Sequence, residues 1–460
     1  MSNTHPTITE LVAWKLSSTY YAIRRRIIPR SQDTPLLCIE VCEHIIDLVA
    51  QKTYSRGGLW WEWDITTFQT LHACALTCRA WLPRARFYLF QVISMRCSPH
   101  VPRTLNDLST LLDQHSALQR HVRRMVAEQG LDPLPRLHLL PFRLPRQVPC
   151  LAHLLLKDGS LYAVPGFHIA MRQFALVQVL SLRNVAFHSV TDVRRMIAGL
   201  EQLKHLTIAH PSWTVPSGGR SRGVANVKSR VRLDMLVVEA GGSWASDTRS
   251  VQLFVWMAQS GVASSLSAVN LRRMRICDRA MLDAVGAILH AARANVVVLY
   301  FGFGLEIRPS VLSDTLSRMR VLRVLLLQAP HDQESFCDLA HLLAALRVQG
   351  LVQLRLWFEQ YPKYAQPQLM DWEKLDNALQ LPQYTPLARV TVGRIPLSVD
   401  VGIPGVLADS SWYDYRPYRD AQWAPELRRL LPATHHRGIL WYWPAFEEVP
   451  EPVPAVRKLR

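Results

Sequence analysis

The chain of 460 residues contains no run of about 18 uncharged apolar residues, the minimum that a membrane-spanning helix needs. Its N-terminus also lacks the continuous apolar core of a secretory signal. No G-x-S-x-G elbow, H-E-x-x-H helix or G-x-x-x-x-G-K phosphate loop occurs. With them go the enzyme classes built on those motifs, and no catalytic residue is assigned. The basic, glycine-rich SGGRSRG from Ser217 to Gly223 has no Walker lysine and reads as a surface loop. Cysteine is sparse, eight residues at 38, 42, 74, 78, 97, 150, 277 and 337. Their scatter fits reduced thiols, and the expected compartment is cytoplasmic and/or nuclear. Cys38–Cys42 and Cys74–Cys78, with His44 and His72 beside them, formally match zinc-ligand spacing. Both pairs lie inside apolar helical patterns and read as packed thiols, so no metal or other cofactor is expected. His435 and His436, near Pro432 and Arg437, read as solvated.

Acidic residues are the minority, 36 Asp and Glu against 53 Lys and Arg, a formal charge of +17. The excess is spread out, with clusters at Arg24–Arg26, Arg220–Arg232 and Arg272–Arg279. It reads as a diffuse basic surface, which leaves nucleic acid a lesser expectation and a membrane surface none. With 49% hydrophobic and 19% charged residues the composition is that of a folded chain.

What is present begins at Leu37. In LCIEVCEHIIDLVA the residues Leu37, Val41, Ile45, Ile46, Leu48 and Val49 recur at helical spacing, with Glu40, Glu43 and Asp47 on the other face. Further on, Leu71, Cys74, Ala75 and Cys78 make a narrow stripe that lets another helix approach closely. Trp81 and Pro83 punctuate the run, Pro83 suiting a first helical turn, and Phe87 and Phe90 give the third helix its apolar side. Three short helices are too small to bury a large core alone.

These residues resemble an F-box, in the form common among multi-copy fungal F-box proteins. Leu37, Glu40, Val41, Ile45, Ile46 and Asp47 match its first part. Thr70, Leu71, Cys74, Ala75, Leu76, Cys78, Arg79, Trp81, Leu82, Pro83, Ala85, Arg86, Leu89 and Phe90 match the second. Cys38 replaces the family's early proline, and AQKTYSRGGLWWEWDITTFQ separates the halves, extending or looping out the first helix. The resemblance implies docking on a Skp1-like adaptor of a cullin–RING ubiquitin ligase, through Leu37, Cys38, Val41, Ile45, Ile46, Leu71, Cys74 and Trp81. A non-docking F-box on a scaffold or a nucleic-acid-associated protein is the alternative.

From about residue 150 the pattern L-x-x-L-x-L recurs. Its middle positions are 154, 180, 206, 236, 269, 299, 325, 354 and 390, between 26 and 36 residues apart. Helical segments such as SVTDVRRMIAGL and RAMLDAVGAILHAA lie between, with Ser189 and Asp278 as polar starts. The repeat's usual turn Asn or Cys is largely missing, Asn184 coming nearest. The expected fold class is α/β, a helical F-box followed by a leucine-rich-repeat-like β-α solenoid, or horseshoe.

The expected division is a leader at 1–35, an F-box at 36–95, a helical, Pro-rich linker at 96–149, the solenoid at 150–395, and a cap with a disordered tail at 396–460. The leader is amphipathic and ends basic; the tail reads as one short helix at 424–431 and one last strand at 438–443. Strand side chains alternate, so if the repeat leucines point inward the residues between them line the concave face. Arg183, Arg272, Tyr300, Arg355 and Trp357 are the expected contacts to a protein substrate, the arginines suited to an acidic or phosphorylated segment. The function these readings imply is a substrate-recognition adaptor of an SCF-type ubiquitin ligase, acting in ubiquitin-dependent degradation.

Overall fold

The computed structural model describes residues 38–55, 65–97, 105–129, 137–161, 166–214, 229–240, 248–274, 279–302, 309–329, 333–348, 350–360, 371–396 and 423–443. The expected leader, Leu37, the glycine-rich loop at 217–223, Asp278, most of the tail and the side chain of Arg272 lie outside them.

Three helices come first: α1 (Ile39–Ser55), α2 (Ile65–Thr77) and α3 (Leu82–Leu89). The long segment between the motif halves extends α1 to Ser55. Pro83 stands in the first turn of α3, where its missing N–H is no loss.

The strands follow. They are β1 (Val92–Cys97), β2 (Arg124–Gln129), β3 (His153–Lys157), β4 (Val179–Arg183), β5 (Ala186–Phe187), β6 (His205–Ala209), β7 (Ser212–Trp213) and β8 (Met235–Ala240). After them come β9 (Ala268–Met274), β10 (Val298–Gly302), β11 (Val324–Ala329), β12 (Gln353–Gln360), β13 (Arg389–Pro396) and β14 (Leu440–Trp443). Apart from the small β5–β7 pair, these form one sheet of 12 strands in which each strand pairs in parallel with the next along the chain. Parallel neighbours need a crossover of about a dozen residues. Helices such as Val190–Gly199, Arg279–Ala292 and Gln333–Ala345 supply it. Ser189 caps the first of these, its Oγ accepting from Asp192 N–H at 3.3 Å. The arrangement is mixed α/β, consistent with an α/β solenoid.

Register explains the repeat. All nine middle positions fall in one row across the sheet, joined by Met125 of β2, and none exposes any surface. The row two residues on, Leu156, Leu182, Ile208, Val238, Leu271, Phe301, Leu327, Leu356 and Val392, is buried beside it in the same continuous core. Each repeat leucine is therefore a rung of that core, worth about 2–5 kcal/mol against alanine.

Segment 96–149 is part of the sheet and not a linker. It carries β2 and most of the crossover to β3, and Leu137, Leu140 and Leu144 of its proline-rich stretch are fully buried. The sheet itself starts at Val92, inside the span expected for the F-box.

Three turns share one geometry. Asp158, Asn184 and His210 directly follow β3, β4 and β6, 26 residues apart, with positive φ of 53°, 50° and 47°. Asp, Asn and His tolerate this region better than other non-glycine residues. Each backbone N–H donates to a carbonyl of the next repeat, on Arg183, Ala209 and Glu239 respectively. Asn184 Nδ2 also donates to Asp158 Oδ1 at 2.7 Å.

The C-terminal elements supply the sheet's last strand. A helix at Trp423–Leu430 and strand β14 stand where the sequence pattern placed them. Asp376 accepts from the N–H groups of Ala433 at 2.8 Å and Thr434 at 2.9 Å, tying the short helix Pro432–His436 to the helix Trp372–Leu379.

Candidate functional site

Two surfaces matter, one on the helices and one on the sheet. In the helical module Ile46, Ala50, Leu71, Cys74 and Ala85 form a small core of their own, with Val49, Ala75, Trp81, Tyr88 and Leu89 packed against it. Asp47 clamps α1 to α3. Arg84 donates to both carboxylate oxygens, Nε to Oδ1 at 2.6 Å and Nη2 to Oδ2 at 2.7 Å, and Tyr88 Oη adds a third bond at 3.0 Å. The Arg84 hydrogen bond, chiefly, holds the Asp47 carboxyl below its ordinary range. Helical spacing alone placed Asp47 on the face opposite the apolar residues; its partner lies 37 residues away, and no local pattern announces that pair.

With its core filled, α1 still exposes Val41, Ile45 and Leu48. These lie four and three residues apart, on one side of the helix. Ile39 precedes them, and α2 exposes Phe68 and Leu76. Exposed apolar side chains grouped on one element mark an interaction surface.

The expected docking residues divide. Val41 and Ile45 are exposed and Cys38 stands exposed at the start of α1. Ile46, Leu71 and Cys74 stand differently: at 0%, 2% and 8% exposure they are the module's internal packing and not part of its exposed surface. Trp81 is half-buried against them. Leu48, Phe68 and Leu76, not among the expected docking residues, are exposed as well, and Leu48 completes the spacing of Val41 and Ile45. Phe87, expected on the apolar side of α3, meets the His121 ring edge-on at 5.5 Å.

The cysteines split likewise, Cys42 and Cys74 buried and Cys38 and Cys78 exposed. Among the described residues no group of three or more His, Cys, Asp and Glu side chains is arranged for a metal ion. No helix among them is long and apolar enough to cross a membrane.

The second face of the sheet carries the residues between the leucine rungs. One row runs Leu155, Ser181, Thr207, Val237, Asn270, Tyr300, Leu326, Arg355, Thr391, Trp441. At strand spacings of about 4.8 Å neighbouring side chains shield one another, and Leu155, Ser181, Leu326, Arg355 and Thr391 are buried. Tyr300 and Arg355 share this row, while Arg183 and Trp357 lie two residues further on, Arg183 on β4 and Trp357 on β12. Arg272 drops out. A register shift between β8 and β9 puts Arg273 opposite Glu239, where unbroken alternation placed Arg272.

The cations of this face are not alike. Lys157 Nζ lies 3.2 Å from Glu128 and 3.4 Å from Asp158. Arg183 Nη2 lies 3.7 Å from Glu239. Among the described residues Arg355 donates only to Gln353 Oε1, at 3.3 Å. The Arg389 guanidinium sits 4.0 Å above the Trp441 ring. Row neighbours Arg124, His153 and His205 lie at the opposite end, where burial pushes the His153 imidazole down to about 4, assisted by the Arg124 charge.

No family model matches this chain. No curated protein matches it either. Among solved structures it aligns with a chain of the yeast Rad7–Elc1 complex at 11% identity and a TM-score of 0.30, over 88% of this chain and 98% of that one. A likeness at that level carries no argument about function.

Proposed function

We propose that the chain is a substrate-recognition adaptor of an SCF-type ubiquitin ligase, its helical module an F-box that docks on a Skp1-like adaptor and its sheet the receptor for a target protein. The observation that carries this reading is the stripe Val41–Ile45–Leu48, left exposed on a helix whose opposite side already fills the module's core. A helix that has satisfied its own core and still shows an apolar side is matched to a second protein. The motif residues support it from the sequence: Leu71, Cys74, Ala85 and Trp81 pack that core, as a three-helix module requires.

The sheet, sequential and parallel with leucine rungs on one face, is read as a leucine-rich-repeat-like solenoid, its second face the inside of a horseshoe. The mechanism is proximity. The module holds the chain to the adaptor and cullin scaffold, the second face holds the target, and the target's effective concentration rises near a ubiquitin-loaded enzyme. No bond chemistry is assigned to this chain.

The test is co-expression of the full chain with Skp1. Co-purification that Val41→Asp with Leu48→Asp removes supports the reading. A chain that folds, stays alone and ignores these substitutions contradicts it.

A further inference from the structure

Arg355 is a charged side chain, 8% exposed, held among the described residues by a single long hydrogen bond to Gln353. Among the described residues no carboxylate lies within ion-pair distance of it. Burial, above all, pulls its guanidinium below the ordinary value; Tyr300 opposes that pull and the charge of Arg389 adds to it. A buried charge without a counterion is costly, and such sites persist where a ligand supplies the missing charge.

The surroundings are specific. Tyr300, Arg355 and Trp441 occupy one row of the second face, with Leu326 and Thr391 between them. Arg389 stands in the adjoining row opposite Gln353, stacked on Trp441, which is 49% exposed. Two arginines thus stand on neighbouring strands, flanked by a phenol and an accessible indole. At the other end of the same face Lys157 and Arg183 are matched to Glu128, Asp158 and Glu239. On β3 and β4 the cations Lys157 and Arg183 are thus paired, whereas among the described residues Arg355 and Arg389 have no carboxylate within ion-pair distance.

We propose that Arg355 and Arg389, with Tyr300 and Trp441, form an oxyanion site that receives a carboxylate or phosphate side chain of a polypeptide lying on this face. The proposal rests on the reading of the second face as the target-binding face and adds the chemistry recognised and the repeats that recognise it. Arg355 supplies N–H donors in a fork that fits both oxyanions. Arg389 supplies the second charge, its plane fixed by the indole. Arg183 is excluded, because a ligand there must first displace Glu239.

The experiment uses the full chain and two small probes, inorganic phosphate and acetate, titrated separately at constant ionic strength while the melting temperature is followed. Binding to the native state raises it with a saturating dependence on probe concentration. Arg355→Met and Arg389→Gln are expected to weaken the apparent affinity about tenfold each, with Arg183→Gln leaving it unchanged. Arg355→Met should melt at or above the parent temperature without ligand, which shows that the loss is the guanidinium's and not the fold's. Saturation with phosphate alone supports a phosphorylated side chain; saturation with both supports a carboxylate as well. A flat response, or an unsaturated rise equal in all four proteins, overturns the proposal. No adaptor is present in this assay, so a failure of the module to dock leaves these outcomes untouched. An Arg355-dependent signal from a chain that captures no protein on this face would refute the receptor reading while keeping the anion site.

Discussion

Replacing Asp47 with Ala removes the ionic clamp between α1 and α3. Two charge-assisted bonds of this kind, with a tyrosine hydroxyl added, reach about 1.5–3 kcal/mol in buried surroundings. Here the Arg84 side chain is 36% exposed and that of Asp47 is 21% exposed, so solvent screening trims the expectation to about 1–2 kcal/mol. Arg84 left alone reaches water, so little is added for an orphaned charge. Amide exchange across Ile39–Ser55 in the full chain reads the change as local opening, about tenfold faster in Asp47→Ala. A cycle with Arg84→Met separates the pair from its neighbours. The pH dependence has a definite sign. The folded pKa of Asp47 is lowered, so the clamp's contribution is complete above the unfolded value of about 3.9 and disappears as pH falls through the folded one. The difference between parent and Asp47→Ala should be level from neutral pH down to about 5 and shrink below about 4. Additive single and double variants, within about 0.3 kcal/mol, or a difference indifferent to acid, would refute this account of the clamp.

Other outcomes follow from buried groups. Asp376→Ala strands the N–H groups of Ala433 and Thr434 and takes the acceptor from the fully buried Thr434 O–H; about 2–4 kcal/mol of local stability should be lost, seen as fast exchange over 423–443. His153 is depressed to about 4, so the unfolded chain takes up its proton first. Stability should fall by about 2–3 kcal/mol between pH 6.5 and 4 and His153→Gln should flatten that slope in urea titrations. Ile46→Asp places a charge in the module's core and should unfold the three helices, whereas Ile45→Asp should leave their circular dichroism unchanged.

The solenoid-like order of the sheet was legible because leucine rungs repeat locally: L-x-x-L-x-L puts its apolar residues on one face whatever lies between. The first two strands escaped because Met125 and Ala127 replace leucines in β2, and because prolines at 141 and 145 suggested a connector where a crossover lies buried. The helical module was legible as three helices, but periodicity cannot separate a residue facing the module's core from one facing a partner. Ile45 and Ile46 are equivalent in sequence and opposite in space. On the sheet, Tyr300 and Arg355 share one row as alternation requires, while between β8 and β9 the register shifts by one residue, which no composition signal betrays. Which arginines are neutralised depends on pairs such as Arg183–Glu239, two strands apart, and only the register brings those together.

The central claim is that the exposed side of α1 holds a Skp1-like adaptor. Its most direct measurement is the dissociation constant of purified full-length chain and Skp1, for the parent and for Ile45→Asp, with equal helical content verified in both. The account predicts tight binding by the parent and a loss of about 3 kcal/mol or more, at least a hundredfold, in the variant. Equal affinities, or a folded parent that does not bind, would contradict it.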